Sequence, residues 1–138
     1  MATIGLVSCV SAKRERPMEA RELYCSPLFE KARDYAEGRC DSWFILSAKY
    51  GLVAPDRVIE PYNETLKDKK VDQRRAWADV VWRDLRPALS PGDRVVILAG
   101  EKYREFLVER IARHGCVLDV PMEGMSIGRQ LQWLSRQR

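Results

Sequence analysis

Histidine is almost missing from this chain, with one in 138 residues, and the four cysteines never form a CxxC pair. Zinc fingers and ribbons depend on such paired ligand spacing, so neither a metal nor a cofactor is expected. Cys9, Cys25, Cys40 and Cys116 then read as free thiols in a reducing compartment. No run approaches the ~20 apolar residues that a membrane-spanning helix requires. Residues 1–7 carry neither the basic start nor the long apolar stretch of a secretory signal. The expectation is a soluble, cytoplasmic protein with no membrane partner. A Walker A loop and a GxGxxG fingerprint are also lacking, which argues against a nucleoside triphosphate or a dinucleotide. No charge block, biased tract or convincing internal repeat interrupts the chain.

What is present suits one domain spanning residues 1–138, since 46% of the residues are hydrophobic and can supply a core. The net charge of +4 is compatible with an anionic partner such as nucleic acid, a nucleotide or phosphate. Because Lys and Arg are interleaved with Asp and Glu, an ordinary solvated surface explains it equally well.

Short apolar runs at 3–8, 43–47, 94–99 and 116–120 predict four strands. They are rich in Val, Ile and Leu without clean alternation, as strands covered on both faces are. Helices are predicted between them. Ser26-Pro27 is an N-cap followed by proline at the first position, Leu28, Ala32, Tyr35 and Ala36 mark one face, and Gly38 is read as the stop. A long helix is predicted over 71–89, with Trp77, Val80, Val81, Leu85, Ala88 and Leu89 at helical spacing before the turn 90–93. A third spans 101–114 and ends at Gly115. A fourth runs from Ser126 to about Gln137, with Ile127, Leu131 and Leu134 inward. Strand and helix alternating four times predict an α/β fold, a three-layer α/β/α sandwich around a four-stranded, mostly parallel sheet. Right-handed crossovers would bring the loops 8–13, 47–62, 100–103 and 121–128 to one sheet edge, where α/β proteins bind ligands.

Those loops carry the polar chemistry. Ser8, Cys9 and Lys13 follow the first strand and could bind phosphate or the edge of a base. Their alternative is a polar strand exit with Cys9 packed as a small hydrophobe. A nucleophilic role for Cys9 would need a cation or base to hold its thiolate, and Lys13 is the cation at hand. Tyr24 could lie over the pocket or in the core. In 47–53, Ser-Ala-Lys-Tyr-Gly-Leu-Val, Ser47 offers a hydroxyl, Lys49 charge and Tyr50 a ring for stacking. Gly51 permits a turn close to a ligand, or a hairpin-like turn with Tyr50 as a lid on the core. Glu60, Tyr62 and Asn63 follow. Glu60 is a candidate to activate water or bind a donor, while Glu64 reads as a surface charge. Gly100 and Glu101 open the next loop, Glu101 also being favourable against a helix dipole. Gly124, Ser126 and Gly128 form a helix entrance that could hold an anion, with Arg129 beside it. Arg129, Arg136 and Arg138 either track a phosphate backbone or form the wet face of the last helix.

With these positions in view, the chain resembles a family of small, uncharacterised bacterial and phage domains. The resemblance rests on Ser8-Cys9 with Lys13, Tyr24 with Ser26 and Phe29, the Ser-Ala-Lys-Tyr-Gly-Leu run from Ser47 to Leu52, Pro61-Tyr62 with Thr65-Leu66, and Gly124 with Ile127-Gly128. The pattern is similar to domains of archaeosine-type tRNA-modification proteins and, more distantly, to the uracil-DNA glycosylase-like fold. That resemblance implies recognition of a nucleobase, nucleoside or nucleotide, with cleavage of an N-glycosidic bond as the reaction. In this reading Glu60, Glu101 and Lys49 serve catalysis, and the remaining loop residues bind the substrate. The chain has neither a Gly-Gln-Asp-Pro-Tyr motif after the first strand nor a His-Ser-Pro loop late in the sequence, so uracil specificity is not implied. The alternative is a non-catalytic nucleic-acid or nucleotide-binding module attached to a modification or defence system. A third is a cysteine-dependent hydrolase or transferase.

Overall fold

The structure, a computed structural model, describes residues 1–8 and 13–137. Cys9 and Arg138, both named above, lie outside the described residues. In chain order the strands are β1 (Thr3–Ser8), β2 (Met18–Glu19), β3 (Ser42–Ser47), β4 (Gly51–Val53), β5 (Val58–Ile59), β6 (Arg94–Leu98) and β7 (Val117–Asp119). The helices are α1 (Ala20–Leu23), α2 (Pro27–Arg39), α3 (Val71–Leu85), α4 (Glu101–Arg104), α5 (Val108–Arg113) and α6 (Ile127–Arg136).

Among the described residues the main sheet has five strands in the order β4-β3-β1-β6-β7, which corrects the expected four. β1 runs parallel to β3 and β6, and β6 runs parallel to β7. The added strand, β4, is antiparallel to β3, with Ser47 opposite Gly51 across the turn 48–50. Three residues made it too short for a periodic signal. The hairpin-like turn named as the alternative for this segment therefore forms, and Gly51 is the first residue of its second strand. Its φ of +75° explains why glycine stands there, since a Cβ disfavours that backbone. A two-stranded antiparallel ribbon pairs β2 with β5 and was also not anticipated.

The apolar runs became strands because their residues are buried whichever way they point. Ile4, Leu6 and Val7 in β1 and Val95, Val96, Ile97 and Leu98 in β6 are all buried. Helix α2 lies against β1, β3 and α6, while α3 lies against β4 and α4, and α5 against β7.

Helix α2 starts as expected, with the Ser26 Oγ accepting from the Phe29 N–H and Pro27 in the first turn. It continues through Gly38 to Arg39 and is capped at Cys40, whose N–H donates to the Ala36 carbonyl. The long helix ends at Leu85 instead of Leu89. Pro87 has no N–H to continue the ladder, and Arg86–Ala88 tightens into a 3-10 turn. The helix expected over 101–114 divides into α4 and α5. The Leu107 N–H turns to the Arg104 carbonyl three residues back, at 2.9 Å, and Leu107 is fully buried. In α6, Leu134 is buried and Trp133 packs on Tyr35 with ring centroids 5.3 Å apart. Ile127, expected inward, is exposed, because it sits at the first position of the helix, about two turns from that contact.

Candidate functional site

Ser8 and Ser47 end adjacent parallel strands, with Ser8 opposite Leu46 in the register. Neighbouring strands lie ~4.8 Å apart, so the two strand ends stand side by side. Ser47 is fully buried, and both its hydroxyl and its carbonyl are hydrogen-bonded. Its Oγ accepts from the Tyr50 N–H at 3.0 Å and donates to the Tyr62 hydroxyl at 2.9 Å. Its carbonyl accepts from the Trp77 indole N–H at 2.8 Å, tying α3 to the end of β3.

The Tyr62 hydroxyl lies 2.6 Å from that of Tyr24, so Ser47, Tyr62 and Tyr24 form a buried chain of three hydroxyls. Tyr24 packs in the core against Phe29, ring centroids 4.9 Å apart, and its alternative placement over the pocket does not occur. The Lys13 ammonium stands 4.5 Å from the Tyr62 ring centroid and 5.7 Å from that of Tyr24. Lys13 and Tyr24 also meet as a backbone bridge, which holds Lys13 beside the hydroxyl chain. Tyr50 meets Tyr62 edge to face at 5.7 Å, with the Lys49 ammonium and the Arg57 guanidinium each 5.3 Å from its centroid.

In front of this cluster opens a cleft of about 590 Å³ lined by Lys49, Tyr62, Asn63, Glu64, Thr65, Asp68, Lys69 and Gln73. Its far wall follows from local sequence. Thr65 caps the short 3-10 helix Leu66–Asp68 by accepting from the Lys67 N–H, and Leu66 is buried with its N–H on the Tyr103 hydroxyl at 3.4 Å. Glu64, read as a free surface charge, is 3.6 Å from Lys69 across the cleft wall. A second cleft, of about 560 Å³, lies where the loops before β6 and β7 meet the end of α3. There His114 is engaged, its Nε2 3.1 Å from the Leu89 carbonyl and its ring edge-on to Trp82. That cleft faces the amino ends of the strands, the edge opposite to the one α/β sheets offer to ligands.

Of the predicted site residues, the fold gathers Lys13, Tyr24, Ser47, Lys49, Tyr50, Gly51, Tyr62 and Asn63, with Ser8 half-buried at the neighbouring strand end. Glu60, Gly100, Glu101, Gly124, Ser126 and Gly128 are exposed and outside the lining of this cleft among the described residues. Gly100 precedes α4, and its carbonyl accepts from the Tyr103 and Arg104 N–H groups. Ser126 spends its Oγ on the Arg129 N–H as the N-cap of α6. Arg57, Thr65, Asp68, Lys69 and Gln73 were not singled out from sequence. They lie in polar stretches with no motif of their own, and only the Pro-Tyr-x-x-Thr-Leu spacing pointed toward Thr65.

Among the described residues, no three His, Cys, Asp or Glu side chains converge as metal ligands. Burial, with Asp41 adding repulsion, pushes the Cys40 thiol up. Burial does the same to Cys116, with Asp93 adding to it. Neither therefore has the lowered thiol pKa of a nucleophile. No helix among the described residues is long and apolar enough to cross a membrane.

The model of a family of unknown function, DUF6884, matches residues 4–136. The chain belongs to this family. A further relative is the Bacillus subtilis (strain 168) protein described as "Uncharacterized protein YfjM". It is 31% identical over 122 residues, covering 87% of this chain and 80% of that protein. No solved structure matches the chain. The DUF6884 match spans every element from β1 to α6, so the cleft and the hydroxyl chain both lie within the family's extent.

Proposed function

We propose that this DUF6884 domain binds a nucleobase-bearing ligand, a nucleoside or nucleotide unit, in the cleft beside Tyr62. The observation that carries the reading is the meeting of an aromatic wall with both signs of charge at the carboxyl ends of parallel strands. Lys49 and Lys69 offer a phosphate cations, and Asn63, Glu64, Asp68 and Gln73 offer the donors and acceptors that a base edge requires. Burial of both faces of β1 and β6, with α2 and α3 lying against different strands, supports a three-layer α/β/α sandwich as the scaffold. The motif resemblance to archaeosine-type and glycosylase-like domains points to the same ligand class.

Binding is the function the geometry favours over the glycosidic reaction as first assigned, because Glu60 and Glu101 are exposed and do not line the cleft. A catalytic second reading rests instead on Glu64 and Asp68. A carboxylate there would take a proton from water as the oxygen attacks C1′ and the C1′–N bond breaks, and would return that proton to the glycosidic nitrogen of the departing base.

The test is calorimetric titration with nucleoside monophosphates, alongside a base-release assay on nucleosides and oligonucleotides. Saturable binding weakened about tenfold in Asn63→Ala, the loss of hydrogen bonds to a base edge, is expected. Absence of binding for every nucleotide would sink the reading. Base release by the wild type that disappears in Asp68→Asn would promote the domain to a glycosidic-bond hydrolase.

A further inference from the structure

The aromatic and cationic surface does not stop at the wall of the cleft. Tyr50 stands beside Tyr62, outside the cleft lining, and carries Lys49 and Arg57 within 5.3 Å of its ring. Neither cation forms an ion pair among the described residues. Both are exposed, yet their backbones are held. Lys49 sits in the turn joining β3 to β4. The Arg57 N–H donates to the Ala54 carbonyl, and its own carbonyl accepts from the Ala20 N–H at 2.8 Å.

A mononucleotide has one base and one phosphate, and the cleft with Lys49 satisfies both. The surface then continues with another ring and another cation, which such a ligand leaves unused. Rings interleaved with cations match the repeat of a single strand, where bases stack and the backbone follows positive charge. A duplex fits less well, since its bases are paired and one would have to be extruded to enter the cleft.

We infer that the ligand is a single-stranded polynucleotide, one base of which enters the cleft while the next stacks at Tyr50 and its phosphate meets Arg57. This rests on the nucleobase reading of the cleft and extends it from a unit to a polymer.

The experiment is fluorescence anisotropy of the intact chain with short single-stranded DNA, single-stranded RNA of the same sequence, and the corresponding duplex, with mononucleotide as competitor. A single strand should bind about tenfold or more tighter than the mononucleotide, as one further stacked base provides. Tyr50→Ala should remove that advantage. Arg57→Gln should make the plot of log affinity against log salt shallower by about 0.7, the loss of one phosphate contact on a single strand. Arg83→Gln, an exposed arginine on α3 away from the cleft, should change neither quantity. Equal melting of Arg57→Gln and wild type will show that the fold is intact. The DNA and RNA arms distinguish the sugar, and preference for either supports the inference. Mononucleotide binding with no gain for the strand, a duplex bound as tightly as the strand, or an unchanged salt slope in Arg57→Gln overturns the inference alone. Binding of neither mononucleotide nor strand overturns the cleft reading and the inference together.

Discussion

Tyr62 joins two roles that usually fall to different residues. Its ring lines the cleft, and its hydroxyl lies inside the protein between Ser47 and Tyr24. Removing a buried hydroxyl takes away the hydrogen bonds it makes, at about 1–3 kcal/mol. Tyr62→Phe should therefore lower the urea midpoint by an amount equivalent to about 1–2 kcal/mol while keeping the fold. An unchanged midpoint would mean that the hydroxyl chain contributes nothing to stability. The same residue-scale logic explains why Ser47 rather than alanine ends β3. The Tyr50 N–H in the tight turn needs an acceptor, and the Ser47 Oγ supplies it from below. The position proposed here as a ligand edge is thus held by ordinary satisfaction of buried polar groups.

At the scale of elements, the opposite end of the sheet depends on Asp93, immediately before β6. One carboxylate oxygen accepts from the Ala2 N–H and the other from the Ser90 N–H, each at 2.9 Å. These hydrogen bonds, the Ala2 one foremost, hold the Asp93 carboxyl below the usual carboxylate range. The folded state therefore releases this proton at lower pH than the unfolded chain does. The stabilisation is fully present above the unfolded carboxyl value of about 3.9 and disappears as pH falls through the lower folded value. Thermal melts from neutral pH downward should show Asp93→Asn melting below wild type at pH 7. The gap should begin to narrow below about pH 4, where the unfolded chain takes up the proton, and close at lower pH as the folded carboxyl is itself protonated. A gap that stays constant with pH would show that the carboxylate charge is irrelevant. The division of 101–114 into α4 and α5 belongs to the same scale. Tyr103, Leu107 and Ile111 are all buried at four-residue spacing, so the apolar pattern runs straight through the tightened turn that separates the two helices.

At the scale of the molecule, the first crossover is packed tightly where β1, β3 and α2 meet. A Cβ on Gly5 would stand 3.0 Å from the Cys40 Sγ, 3.2 Å from the Trp43 Cβ and 3.4 Å from the Ala36 Cβ. Gly5→Ala should therefore destabilise the chain by about 1–3 kcal/mol, the usual cost of overpacking. Cys40→Ala added to it should return part of the loss, because the nearest atom is gone. A double-mutant cycle by urea denaturation measures that coupling, and strictly additive effects would contradict the close approach. This contact sets how closely α2 lies on β1, next to the strand pair whose ends carry Ser8 and Ser47.

Four strands, the start of α2 and the adjacency of the strand ends at Ser8 and Ser47 were legible in the sequence, because continuous Val, Ile and Leu runs and a Ser-Pro cap express local physics. β4, β2 and β5 were not. A two- or three-residue strand has no period to detect and exists only because a neighbour offers it hydrogen bonds. The segment 47–53 likewise displayed a hydroxyl, a cation, a ring and a glycine, and those residue types follow from the sequence alone. Tertiary structure decided that the hydroxyl is buried against Tyr62, that the Lys49 and Arg57 cations each come within 5.3 Å of the Tyr50 ring, and that Glu60 and Glu101 do not line the cleft. Each of those outcomes depends on which distant segment packs alongside, and side-chain direction across such contacts is not encoded by spacing along the chain.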